Sequence, residues 1–167
     1  PNQQMVTQVA LTLFNDTLMD FIAMRQREGA AINTMISQRL NAIAIECEKV
    51  RIRMPIIMAH YRQRLLSRLQ EVKDELNPER VEQEVVLFAH KIDVAEELDR
   101  LNAHIVEIQR VLSQENAVGR KLDFLMQELN REANTLGSKS VSADSSLSSV
   151  ELKVLIEQMR EQIQNIE

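Results

Sequence analysis

The 167 residues carry a formal charge of −5, with 20 Lys and Arg against 25 Asp and Glu, and 44% of them are hydrophobic. That composition supports one moderate domain with a real core and disfavours broad nonspecific nucleic-acid binding, while leaving room for a local anion site. Cys47 is the sole cysteine, which excludes a disulfide framework or a cysteine-cluster metal site within one chain and reads as a small core residue.

Gly and Pro number three each, Trp is absent and aromatics make up 3%. So few chain breakers suit long helices and poorly suit a sheet full of tight turns. The expected class is all-α, with long amphipathic helices in a hairpin or bundle-like arrangement. No apolar run is long enough to cross a bilayer and no signal peptide is visible, so the cytoplasm is the expected compartment. Starting at Pro1 without an initiator Met, the chain is read as a processed or truncated product.

From Val6 to Gln26 the apolar residues recur with a helical period, through Val6, Ala10, Leu13, Phe14, Leu18, Phe21 and Ile22. Arg25, Arg27 and Glu28 follow, then Gly29, which either ends this helix or is tolerated inside it. The pattern resumes through Ile32, Met35, Ile36, Leu40, Ile43 and Val50. Pro55 lacks an amide donor and its ring clashes with the preceding turn, so it is expected to end or kink the helix near Arg53 or Met54. On this reading residues 1–54 form an N-terminal helical segment and residues 55–167 a C-terminal helical domain. Another helix is expected from Pro55 to Leu76, closed by Asn77-Pro78-Glu79, in which Asn77 caps the next helix and Pro78 takes its first position.

Val81, Val85, Phe88, Ile92, Ala95, Leu98, Leu101, Ile105, Ile108 and Leu112 recur at gaps of three or four. They predict one helix of about 35 residues, roughly 50 Å long, which demands a hairpin, bundle or oligomer partner to cover it. Asn116 to Gly119 reads as a bend. Leu122, Leu125, Met126, Leu129, Ala133 and Leu136 form the buried face of a helix from about Arg120 to Leu136. Gly137 to Val150, serine-rich and poor in apolar residues, reads as a loop. Ser148 and Glu151 fit a capping box for a last helix buried through Leu152, Leu155, Ile156, Met159 and Ile163.

Two polar stripes carry candidate chemistry. On the long helix Asp93, Glu97, Arg100, His104 and Glu107 lie opposite the expected core face, at gaps that let neighbours meet. Carboxylates and an imidazole can bind a divalent metal, and His104 can move a proton near neutral pH. A solvated salt-bridge ladder explains the same spacing. On the next helix Asp123, Gln127, Asn130 and Asn134 form an amide-rich face with Arg131 beside it. Amides that donate and accept, next to a guanidinium that grips phosphate bidentately, suit an RNA backbone. Glu128 and Glu132, one turn apart, can offer oxygens to Mg²⁺ or Mn²⁺. Hydrogen bonding to neighbouring helices or to a second subunit is the plainer account of that face.

From Gly119 to Lys139 four basic residues (Arg120, Lys121, Arg131, Lys139) outnumber three acidic ones (Asp123, Glu128, Glu132), a weak local excess. Ser138, Lys139 and Ser140 can contact phosphate, Arg160, Glu161, Gln162 and Asn165 can join a polar cluster, and Glu28-Gly29 can point an acid into a shared site. His60 and His90 read as packing or surface residues.

The runs IDVAEELDRLNAHIVEI (Ile92 to Ile108), GRKLDFLMQELNREANTLGSKS (Gly119 to Ser140) and ELKVLIEQMREQIQNIE (Glu151 to Glu167) resemble the C-terminal region of the YicC/YloC-like endoribonuclease family, and REGAAINTMISQRL (Arg27 to Leu40) resembles its middle region. The resemblance implies a bacterial, cytosolic protein that binds and cleaves RNA with a divalent cation, Mn²⁺ or Mg²⁺, and that assembles as a homo-oligomer, a hexamer at full length. It further implies an N-terminal domain largely absent from this sequence. Within this frame the expected catalytic residues are Glu97, Arg100, His104 and Arg131, and the expected metal ligands Asp93, Glu128 and Glu132. The expected RNA contacts are Arg120, Gln127, Asn130, Asn134, Ser138, Lys139 and Arg160. An RNA-binding adaptor without chemistry and a purely structural oligomerisation region are the alternatives.

Overall fold

The computed structural model describes residues 2–71, 78–114, 117–164 and 166, and all regular structure among them is helical. The elements are α1 (Gln3–Glu71), α2 (Pro78–Ile92), α3 (Ala95–Leu112), α4 (Gly119–Ser138) and α5 (Ala143–Ile163). Helices α1, α3, α4 and α5 pack into a bundle, and α2 folds back along the C-terminal part of α1 to make a helical arm.

At 69 residues α1 is roughly 100 Å long. It absorbs Gly29 and runs on through Pro55, so of the two expected effects of that proline, an end to the helix does not occur. Pro55 is exposed, and its ring sits where one missing backbone bond is not left buried. The helix therefore carries the chain across the 54/55 division without a break. Only its middle serves the bundle: Ile32, Ile36, Leu40, Ile43, Cys47 and Val50 recur at gaps of three and four and are buried. The apolar residues before Ile32 have the same period but stay exposed, Met5, Phe14 and Met19 among them. Burial also pushes the Cys47 thiol up to about 11, as expected of a packing residue.

The single helix expected from Val81 to Leu112 is two. Its break is at Asp93 and Val94, where the Asp93 carboxylate takes the Ala95 amide (3.0 Å), an alternative to the helical bond. The core period survives the break: Ile92, Leu98, Leu101, Ile105 and Ile108 are all buried. In α4 every residue assigned to the core from sequence is buried, from Leu122 to Leu136. The same holds in α5 from Leu152 to Ile163.

The expected serine-rich loop is mostly helix. Helix α5 begins at Ala143, its cap Ser142 lying six residues before the expected one, and its capping box is Ser142 with Ser145. Ser148 and Ser149 are buried inside it instead. Ser148 donates to Glu46 Oε1 (2.6 Å) and accepts from Arg53 Nη1 (3.3 Å), tying α5 to α1, while Ser149 donates to the Ala133 carbonyl (3.1 Å), tying it to α4. Burial pushes the Glu46 carboxyl up, but the bonds from Lys49 and Ser148 and the charges of Lys49 and Arg53 outweigh it, and the net shift is downward. The expected Asn77 cap and the Asn116 end of the bend lie outside the described residues.

Candidate functional site at the seam of α3 and α4

Helices α3 and α4 run antiparallel, and their contact is crossed by three ion pairs. Glu97 meets Lys139 (2.7 Å), Arg100 meets Glu132 (3.4 Å) and Glu107 meets Lys121 (2.9 Å). The acidic and basic stripe expected opposite the core face therefore lies beside it, along this seam. The reason is that α4 packs on α3 from the flank, so the residues next to the apolar stripe become contact residues rather than solvent residues.

The carboxylates of Glu97 and Glu132 are nearly buried, whereas the guanidinium of Arg100 and the ammonium of Lys139 are partly open to solvent. Glu97 Oε1 is satisfied by Lys139, but Glu97 Oε2 is buried with no hydrogen-bond partner. Arg100 forks between Glu132 and Glu96 (2.5 Å), and the bond to Glu132 together with the charges of both acids raises its pKa. Farther along, Arg110 makes two bonds to Glu107, and Lys121 adds a third. The Arg110 bonds first, then Lys121, hold the Glu107 carboxyl down at about 2.

Between the Arg100 and Glu107 ties the ladder has a gap. His104 on α3 and Glu128 on α4 are both half-buried, and among the described residues neither makes a hydrogen bond or ion pair. The antiparallel register set by the flanking pairs brings these two positions to the same stretch of the seam. An imidazole here has an acid-bearing position opposite it, an arginine one turn away and a second buried carboxylate beyond. That is a chemistry-capable set: an imidazole that can donate or accept a proton, flanked by charged groups of both signs.

The other expected residues fall into two places. Arg120, Gln127, Arg131, Asn134 and Ser138 are exposed on one line of α4. Arg120 and Arg131 have no ion pair among the described residues, while Gln127 donates to Asp123 Oδ2 (2.9 Å) and Ser138 to the Thr135 carbonyl (2.8 Å). Asn130 is half-buried. Arg160 stands on α5 near Asp123 (3.9 Å) and Glu157 (3.8 Å), so Asp123 links it to the α4 stripe. Glu28 and Gly29 lie on the exposed part of α1, outside the bundle.

Sequence reasoning missed Phe124. It is exposed in the same α4 line, so the solvent face reads Arg120, Phe124, Gln127, Arg131, Asn134, Ser138 at gaps of four and three. The stripe is about 27 Å long. A large ring held in water between two unpaired arginines was detectable from its helical phase alone, but it was hidden by counting only polar residues.

The expected metal ligands are not assembled. Asp93 accepts from the Ala95 amide at the start of α3, Glu132 is tied to Arg100, and Glu128 makes no hydrogen bond or ion pair among the described residues. Among the described residues no three His, Cys, Asp or Glu side chains are grouped so as to hold a metal ion. The donor set of the described residues does not by itself fit a metal site.

Residues 50–167, which include the whole seam and stripe, match the family model described as "Endoribonuclease YicC-like, C-terminal". The chain belongs to the YicC-like endoribonuclease family. It is 59% identical over 162 residues to the probable endoribonuclease YicC of Haemophilus influenzae, covering 97% of this chain and 56% of that protein. To the probable endoribonuclease YicC of Clostridioides difficile it is 36% identical over 155 residues, covering 91% of this chain and 53% of the other. The YicC-like chain thus spans about half the length of the curated relatives it matches. No helix among its described residues is long and apolar enough to cross a membrane.

Proposed function

We propose that this chain is the RNA-holding and proton-transferring part of an endoribonuclease, with the backbone of the RNA lying along α4 and the cleaved phosphodiester at the α3–α4 seam. The observation that carries the reading is the gap in the ion-pair ladder, where His104 and Glu128 face a common stretch of the seam with no internal partner. Family membership supplies the reaction class: both relatives are named as probable endoribonucleases.

In this reading Arg120 and Arg131 bind phosphates, and the amides of Gln127, Asn130 and Asn134 bond backbone oxygens without reading much sequence. Phe124 offers a ring on which a base can stack. Arg100 and Lys139 set positive charge beside the phosphoryl oxygens as charge builds on them. Their ties to Glu132 and Glu97 hold them in place, which lowers the reorganisation needed during reaction. His104 moves the proton. The metal dependence implied by the family resemblance is a separate proposal. Its ligands would be completed by RNA phosphates, as is common for Mg²⁺ with few protein carboxylates, or by polypeptide outside this chain.

The test separates binding from cleavage. His104→Gln is expected to lower the cleavage rate by about 100-fold, in the range for loss of an acid–base group, with RNA affinity unchanged. Equal cleavage by a folded His104→Gln protein removes the proton-transfer role. Cleavage that proceeds at the same rate in chelator as in Mn²⁺ removes the metal proposal and leaves the seam untouched. A homo-oligomer is also proposed, supported by the row of exposed apolar residues from Met5 to Met24 on α1; sedimentation as a monomer at micromolar concentration refutes it.

A further inference from the structure

At the root of the helical arm lies a half-enclosed cavity of about 150 Å³ that none of the residues above explains. Ile57 and Tyr61 of α1 and Phe88 of α2 form its apolar wall, and Val141, which is exposed, and Ser142 of the α4–α5 connection also line it. The Tyr61 and Phe88 rings are stacked nearly parallel, with centroids 3.6 Å apart and planes 9° apart. His60 and Arg64 complete the lining, both exposed and without a hydrogen bond or ion pair among the described residues. A smaller space next to it shares Ile57 and Val141 and is lined by Lys139, the residue tied to Glu97 at the seam.

We propose that this cavity receives one unpaired pyrimidine base of the RNA. Size comes first: an apolar cavity of about this volume holds a single six-membered aromatic ring, as an engineered cavity of about 150 Å³ holds benzene. The wall is aromatic and aliphatic, which suits a flat ring and supplies no reason for water to stay. The rim is polar and cationic, so a base edge and its attached phosphate meet hydrogen-bond donors on entry. Location ties the cavity to the chemistry. Val141 is two residues from Lys139, a chain distance of at most about 7 Å, so an RNA engaged at the Lys139 end of the seam passes the mouth of the cavity. The proposal rests on the endoribonuclease reading. It adds that the enzyme favours RNA with an unpaired base near the scissile bond.

The experiment compares three labelled hairpins that are identical except at one position: a bulged uridine, an abasic bulge and no bulge. Binding to the intact protein is followed by fluorescence anisotropy. The bulged uridine is expected to bind about tenfold more tightly than the abasic hairpin, within the range for stacking one base on aromatic side chains. Val141 is exposed, so Val141→Trp can fill the cavity from its mouth without touching the bundle core. This variant, and Tyr61→Leu, are expected to erase the preference for uridine while keeping the affinity for the abasic hairpin. Equal binding of the uridine and abasic hairpins by the unmodified protein overturns the proposal, as does a tenfold preference that survives Val141→Trp. Failure to bind any of the three RNAs overturns both this proposal and the reading it rests on.

Discussion

Gly137 reports on how closely α4 and α5 approach. A Cβ placed on it would lie 2.5 Å from Ser149 Oγ and 3.4 Å from Ser149 Cβ. The second distance is ordinary contact, so the clash is with the hydroxyl alone. To make room, Ser149 must turn its hydroxyl away from the Ala133 carbonyl it bonds at 3.1 Å, in a site where the residue is only 4% exposed. Leaving such buried groups unsatisfied costs about 1–3 kcal/mol. Against this, Ala in place of Gly in a helix gains up to about 1 kcal/mol, less so this near the helix end. Gly137→Ala is therefore expected to lower stability by about 1 kcal/mol, a fall of about 2–4 °C in Tm for a chain of this size. The sharper expectation is the change of sign. In a Ser149→Ala background the hydroxyl is gone, so Gly137→Ala should become stabilising by up to about 1 kcal/mol. The assay is thermal and urea unfolding of the four proteins of this double-mutant cycle, followed by circular dichroism at 222 nm. If Gly137→Ala has the same effect in both backgrounds, the close approach is not what makes glycine necessary there.

Lys139→Met strands the buried carboxylate of Glu97 and should cost about 3 kcal/mol, most of it recovered by adding Glu97→Leu; denaturant midpoints measure both, and full stability in the single variant would show the pair to be dispensable. Glu107, held down to about 2 against an ordinary 4.5, stabilises the fold fully above its unfolded value and loses that contribution as pH falls through about 4.5 to 2. Glu107→Gln should therefore flatten this part of the Tm–pH profile, and an unchanged profile would refute the assignment. Arg131→Gln should weaken RNA binding about equally across sequences and reduce the salt dependence by close to one counterion, read from affinity at several salt concentrations. Phe124→Ala should weaken single-stranded RNA by about tenfold with the salt slope unchanged, and a loss confined to self-association would move Phe124 from the RNA face to a subunit contact.

The helical class and the core faces of α4 and α5 were legible because burial on one side writes a period of 3.6 into the sequence. The family likewise was legible in contiguous runs, above all Gly119 to Ser140. Some boundaries were not. Asp93 breaks the long helix with its own side chain while Ile92, Ala95 and Leu98 keep their spacing, so the apolar period passes over the break. Ser148 looked like a cap because a serine followed by an acid three residues on fits one. Its hydroxyl instead reaches Glu46, a residue of α1 that no local rule connects to it.

The candidate site divides the same way. The stripe at Glu97, Arg100, His104 and Glu107 could be listed from spacing, and so could the amides of α4. Its burial could not, because spacing within one helix says nothing of which flank a second helix will cover.

The order of residues alone determined that this chain is helical, which side chains form the apolar faces of α4 and α5, and to which family it belongs, since each is a local or periodic property of a continuous run. Only the tertiary structure decided which polar residues meet. It set Lys139 on Glu97, Glu132 on Arg100 and Lys121 on Glu107, left His104 and Glu128 unpaired between the last two, and opened a cavity where α1, α2 and the α4–α5 connection come together. These arrangements bring together residues far apart in the chain, Ile57 and Val141 around one cavity among them, and their formation depends on how the helices pack.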